Sequence, residues 1–124
     1  MDLNLAAGWI GILLGMVSGA VQGLFFHEET WLGGYNSWRR RIIRLGHISF
    51  FGIGFINITY ALSRQWLQLG TSTLETTLLL IGALGMPLIC YLSALKKSLR
   101  HLFPLPVVSL LLAVALFLHR SLVL

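Results

Sequence analysis

The chain has 124 residues, of which 56% are hydrophobic and 10% are charged, and its net charge is +5. Soluble domains carry about 25% charged residues, so this composition, with a mean hydropathy of +0.83, excludes an ordinary soluble protein and predicts an integral membrane protein. The lone Cys90 excludes an internal disulfide and a thiolate metal site. Nucleic acid is not an expected partner, because the basic residues cluster at the ends of apolar segments.

Four apolar stretches are long enough to cross a hydrocarbon core of roughly 30 Å as helices. In chain order we expect these helices over residues 5–26, 38–63, 73–101 and 104–122. The stretches lack the alternating pattern of barrel strands, and backbone groups in lipid must be paired within the segment. The sequence therefore predicts an all-α fold, with one transmembrane domain built as an antiparallel four-helix bundle.

Several polar residues and prolines predict where these helices begin. Asn36 or Ser37 can cap the second helix. The sequence STLE, residues 72–75, is a capping box in which Ser72 accepts from the backbone of Glu75 and the Glu75 carboxylate reaches back. The sequence FPLP, residues 103–106, stops the third helix and starts the fourth, because proline lacks an amide donor.

Basic residues near the helix ends predict the orientation. One side of the predicted bundle receives most of them: Arg39, Arg40, Arg41, Arg44, Lys96, Lys97 and Arg100. The other side receives Arg64 and Arg120. Cytoplasmic loops are rich in Lys and Arg, so we expect a multi-pass protein of the bacterial inner membrane with both termini outside.

Small and polar residues predict how the first two helices meet. The first helix carries a stripe of glycines spaced by four residues: Gly11, Gly15, Gly19 and Gly23. Small residues let helix backbones approach closely in lipid. On the second helix, His47, Gly54 and Asn57 lie within about 80° of one another at 100° per residue. Because polar side chains facing lipid are costly, we expect this face to pack on the glycine stripe.

Two hypotheses compete for the histidines. In the first, His47 and Asn57 form hydrogen bonds between helices. In the second, His47 is an axial ligand of a b-type haem, paired with His27, while Arg40 and Arg44 hold the propionates. Imidazole is a common haem ligand, and arginine binds carboxylates bidentately.

Other chemistries have weaker signals in the sequence. His27, Glu28 and Glu29 could form a surface metal site with His47, since imidazole and carboxylate suit zinc or iron. A proton-coupled transporter usually carries an ionisable residue in mid-membrane, and apart from His47 these segments offer none. No serine has base and acid partners at helical spacing, so the sequence does not predict an enzyme.

Residues 31–57 contain a glycine–tyrosine loop, paired arginines and the sequence RLGHISFFG. This stretch resembles small uncharacterised bacterial four-helix membrane proteins with the pattern R-L-G-H-[IL]-[SA]-F-x-G. The pattern falls on Arg44, Gly46, His47, Ser49 and Gly52, among others. The resemblance implies the same architecture and attaches no activity to it.

We therefore expect a small accessory subunit of a larger membrane complex that acts by helix packing. Small chains with short loops commonly serve respiratory or photosynthetic electron transfer, which is an analogy at the level of fold. The expected partners are membrane lipids and other integral membrane subunits, or a second copy of the chain. The alternative functions are a haem-binding electron-transfer subunit and, less favoured by the residues, a small transporter.

Overall fold

The computed structural model describes residues 1–123, and these residues fold into helices and connecting turns without a strand. The main helices are α1 (Leu3–Gly23), α2 (Trp38–Trp66), α3 (Thr73–Leu95) and α4 (Pro104–Leu122). Short 3₁₀ helices, Trp31–Gly33 and Lys97–Leu102, lie in two of the connections. By length and hydropathy, 4 helices are suited to cross a membrane, as predicted.

The start of each helix has a local cause. Asp2 accepts from the backbone of Asn4 and Leu5 and starts α1 earlier than the predicted residue 5. Ser37 caps α2 and Ser72 caps α3, each through its hydroxyl. Helix α4 begins at Pro104, where a missing amide donor does no harm.

The helix ends differ more from the prediction. Helix α1 ends at Gly23 rather than residue 26, and α2 continues to Trp66 rather than ending at residue 63. Helix α3 ends at Leu95, and residues up to 101 that were predicted to continue it form a tighter 3₁₀ helix instead. The sequence has no glycine or proline next to Leu95 that would mark the end of α3. The apolar pattern alone therefore predicted a helix that is too long.

The helices pack mainly on their neighbours in the chain, and α1 also touches α3. The backbone of α4 approaches α3 and comes near neither α1 nor α2 within residues 1–123. Helix α4 does reach α2 through Phe117, whose ring meets Tyr60 edge-on at 5.2 Å between centroids. The assembly is therefore open on the side of α4.

Hydrogen bonds show which helix ends lie together. The starts of α1 and α3 are joined to the final turns of α2 and α4 by hydrogen bonds of Asp2, Arg64, Glu75 and Arg120. We call this the paired-charge end. At the other end, Trp38 and Arg39 donate to the carbonyl oxygens of Ser93 and Ala94. Since this second end holds the remaining Lys and Arg side chains, we call it the basic end.

Candidate functional site

A group of polar side chains, most of them buried, lies at the paired-charge end. We call it the polar cluster, and its members are Asp2, Asn4, Asn57, Tyr60, Arg64, Glu75, Thr76 and Arg120. Sequence reasoning pointed to Asn57 here but not to Asn4 or Asp2, which precede or begin the first apolar run. All four helices contribute to the cluster.

An ion pair between Asp2 and Arg64 joins the start of α1 to the final turn of α2. The two side chains are 14% and 10% exposed, respectively. Arg64 also donates to the carbonyl oxygen of Leu69 and to the hydroxyl of Thr71, at 3.4 and 3.3 Å. A charge this buried needs a partner, and Asp2 supplies it while also capping α1.

Asn4, Asn57 and Thr76 link three helices through consecutive hydrogen bonds. The Asn4 amide donates to Asn57 Oδ1 at 2.8 Å, and the Thr76 hydroxyl donates to Asn4 Oδ1 at 2.9 Å. The Asn57 amide in turn donates to the carbonyl oxygen of Ile53 at 3.0 Å. Each amide thus uses both its donor and its acceptor, which removes the cost of burying it.

Glu75 joins α2, α3 and α4. Its Oε2 accepts from the Tyr60 hydroxyl at 2.9 Å and from Arg120 Nη2 at 2.8 Å. The capping-box prediction is right for Ser72, which accepts from the Glu75 backbone. It is wrong for the carboxylate, which turns into the protein rather than back towards Ser72, because two donors on neighbouring helices hold it there.

The cluster's carboxylates are each committed to an arginine, and its amides are committed to one another. The hydrogen bonds and ion pairs of the cluster therefore connect the helices: α1 to α2, α1 to α3, α2 to α3, and α3 to α4. Hydrogen bonds of this kind add to the attraction between helices in lipid, where the hydrophobic effect adds little.

The glycine stripe faces α2 over most of its length. A Cβ on Gly11 would lie 3.1 Å from the carbonyl oxygen of Phe50, and one on Gly15 would lie 2.8 Å from the Phe51 ring. Gly19 lies against the His47 ring, whereas a Cβ on Gly23 would meet nothing within 4 Å. The structure therefore excludes Gly23 from this contact.

Gly8 continues the contact at the other end of the stripe. A Cβ there would come within 2.6 Å of the carbonyl oxygen of Gly54. Sequence reasoning missed Gly8 because it breaks the four-residue spacing, although the spacing from Gly8 to Gly11 is also helical. Gly54 itself approaches the carbonyl oxygen of Gly8, so backbone meets backbone here.

His47 is packed on α1. Its Nδ1 lies 3.1 Å from Ser18 Oγ, and the Ser18 hydroxyl also donates to the carbonyl oxygen of Gly15. The Phe51 ring meets the imidazole edge-on at 5.3 Å. With Gly19 directly against the ring, a flat macrocycle has no room between His47 and α1.

The other residues of the haem hypothesis are used elsewhere. His27 lies beyond the end of α1 with its side chain 74% exposed, 3.5 Å from Glu28. Arg40 is buried and donates to the carbonyl oxygens of Glu28 and Trp31. Arg44 lies over the Tyr35 ring at 4.5 Å and donates to its carbonyl oxygen. The structure therefore gives Arg40 and Arg44 partners within the chain, and haem ligation by His47 and His27 stays a prediction.

The metal hypothesis also lacks support, because residues 1–123 bring no three His, Cys, Asp or Glu side chains into one group. Comparison with known proteins gives no match to a protein-family model, a curated protein or a solved structure.

Proposed function

We propose that the chain is a multi-pass protein of the bacterial inner membrane with antiparallel helices, its basic end in the cytoplasm and both termini outside. The support is a charge difference larger than the sequence alone indicates. Arg64 and Arg120 at the paired-charge end are neutralised by Asp2 and Glu75. The basic end keeps its excess of Lys and Arg, which is the side that cytoplasmic loops occupy.

We further propose that it acts as a subunit that packs sideways against another integral membrane protein. The observation that carries this proposal is that α1 and α4 are less buried within the chain than α2 and α3. The most apolar windows of α1 and α4 are each 17% buried, against 39% for α2 and for α3. Two of the four helices thus keep most of their apolar surface for contacts outside the chain.

A groove between α1 and α3 suits a partner helix best. It has a volume of about 580 Å³ and an almost wholly apolar lining. Among its mostly large apolar lining residues are the small residues Ala7, Gly11 and Ala83, and small residues allow the close approach that drives helix association in lipid. Leu84, which also lines the groove, is 72% exposed and would be covered by the partner.

The test is a photoreactive amino acid placed in the groove in native membranes. Substituted at Leu84, the probe should give a discrete protein adduct, while at Leu111 of α4, which is 66% exposed, it should give none. Adding Ala83→Phe should fill the groove and abolish the adduct at position 84. A differently tagged second copy distinguishes a self-adduct from an adduct with another subunit.

Adducts of equal yield at positions 84 and 111, or an adduct that Ala83→Phe leaves intact, would contradict the groove assignment. Blue native electrophoresis supplies an independent readout. The chain should migrate in an assembly larger than its own 13.8 kDa, and the Ala83→Phe variant should release it.

A further inference from the structure

A second apolar cleft lies between α2 and α4, and Ile53 is the lining residue that it shares with the α1/α3 groove. Near the basic end it has a volume of about 400 Å³, and its polar lining is negligible. Its walls are Leu45, Ile48 and Gly52 of α2, Val107 and Leu110 of α4, and Phe103 just before α4. The cleft exists because the backbone of α4 approaches α3 and not α2.

The length of this cleft matches one leaflet of a bilayer. From Leu45 to Ile56, which also lines it, the rise along α2 is about 16 Å at 1.5 Å per residue. Half of a hydrocarbon core of roughly 30 Å is about 15 Å. An acyl chain that enters from the basic side would therefore fill the cleft along its depth.

A transmembrane helix fits the cleft less well. Helices are about 10–12 Å in diameter, and a spanning helix would continue past Ile56 towards the paired-charge end. There Phe117 of α4 rests on Tyr60 of α2 and bridges the two helices. That contact also lines a further apolar pocket, which begins at Ile56 and continues along α2 and α4, so the choice of a lipid over a helix rests on the charge at the basic side.

Two arginines lie close in sequence to residues that line the basic side of the cleft. Arg41 lies one turn before Leu45 on the same side of α2, and Arg100 comes three residues before Phe103. Arg39, Arg40 and Arg44 donate to backbone carbonyl oxygens.

In contrast, Arg41 and Arg100 are exposed and make no hydrogen bond to protein within residues 1–123. Guanidinium groups bind phosphate bidentately. Basic pockets between transmembrane helices on the cytoplasmic side suit anionic lipid headgroups.

From this combination we infer that the α2/α4 cleft binds an anionic phospholipid. An acyl chain lies between Leu45 and Ile56, and the phosphate lies between Arg41 and Arg100. The inference requires that the helices span a membrane but does not depend on the partner proposed for the α1/α3 groove. Failure of one proposal therefore leaves the other standing.

The test is native mass spectrometry of the purified full chain in detergent, titrated with phosphatidylglycerol or with phosphatidylcholine of the same acyl chains. We expect phosphatidylglycerol to bind at least tenfold more tightly. Gly52→Leu should weaken binding of both lipids about tenfold, because the position next to Gly52 is open space within the cleft. Arg41→Gln with Arg100→Gln should reduce phosphatidylglycerol binding to the phosphatidylcholine level.

Two matched variants control for shape and charge. Gly23→Leu also adds a side chain where a Cβ meets nothing within 4 Å, but on α1, and it should leave lipid binding within twofold of the original. Lys96→Gln with Lys97→Gln removes two charges from the same end, where Lys97 lies over the Trp38 ring, and should do the same. Unchanged circular dichroism of Gly52→Leu would show that its helices are intact.

Three results would overturn the inference. Equal binding of the two lipids would remove the headgroup site. If the Lys96/Lys97 and Arg41/Arg100 variants lost the same amount of phosphatidylglycerol binding, the preference would reflect diffuse attraction to the basic end rather than a headgroup site. A protein dimer that Gly52→Leu dissociates would assign the cleft to a second copy of the chain.

Discussion

The first pair of helices and the last pair are joined in different ways. Between α1 and α2, backbone lies on backbone at Gly8 and Gly54. Polar side chains then link the two helices at several depths, from the Asp2–Arg64 pair through Asn4–Asn57 to Ser18–His47. Between α3 and α4, the side chain of Leu110 fills the space at Gly82.

In residues 1–123, side-chain hydrogen bonds between α3 and α4 are confined to Arg120 and Glu75. This difference indicates which parts of the chain are rigid. Backbone contact leaves no side chain that can move aside, and polar links spaced along a helix pair fix its register. Helix α4 is instead fastened at the paired-charge end and by apolar contacts, and its basic end borders the open α2/α4 cleft. We expect α1 and α2 to resist separation most strongly, and α4 to move most easily.

The largest effect should come from breaking the buried ion pair of the first helix pair. Arg64→Met leaves the Asp2 carboxylate without its partner, and losing one member of a buried pair costs about 3 kcal/mol. Asp2→Asn combined with Arg64→Met should cost less than the sum of the single changes, because neither charge is then left unpaired. Unfolding in mixed micelles, followed by circular dichroism, measures these free energies. Additive costs would mean that the two residues do not act as a pair.

Glycine substitutions compare the two helix pairs directly. Gly8→Ala would press a methyl group on the carbonyl oxygen of Gly54, and overpacking of this kind costs about 2 kcal/mol. Gly82→Ala meets the flexible side chain of Leu110, which borders the open cleft, so its cost should be about 1 kcal/mol or less. Gly23→Ala, which meets nothing, should be neutral or slightly stabilising. The same unfolding measurement ranks the three, and equal costs at Gly8 and Gly82 would remove the distinction between the pairs.

Sequence patterns predicted the features of this structure that depend on local chemistry. Hydropathy over about 20 residues predicted four helices because an apolar stretch of that length is long enough to cross a hydrocarbon core as a helix. Ser72 was predicted as a cap, and Ser37 as one of two candidates with Asn36, because a cap involves residues three positions apart.

Contacts between distant residues could not be predicted in this way. Asp2 pairs with Arg64, 62 positions along the chain, and nothing in the sequence near either residue indicates the other. The side-chain direction of Glu75 likewise depends on Tyr60 and Arg120 from other helices. Arg40 is a further example. Its guanidinium group was expected to bind haem propionates but donates instead to a carbonyl oxygen of the turn before α2.

The smallest effect should come from Arg120, and it tests whether α4 is held loosely. Its side chain is 29% exposed and that of Glu75 is 4% exposed. In Arg120→Gln, unlike Arg64→Met, the new side chain can still donate to the carboxylate, and the Tyr60 hydroxyl continues to donate to it, so we expect a cost of about 0.5 kcal/mol. That cost corresponds to about a twofold change in an opening equilibrium. Hydrogen exchange should therefore rise about twofold in the last turn of α4 and stay unchanged in α1. Arg44→Gln, which removes an exposed bond to Tyr35 at the basic end, is the matched control and should leave α4 unaffected. If Arg120→Gln instead accelerated exchange in α1 and α2 as much as in α4, the fourth helix would belong to the same cooperative unit as the first pair, and the contrast between the two pairs would be lost.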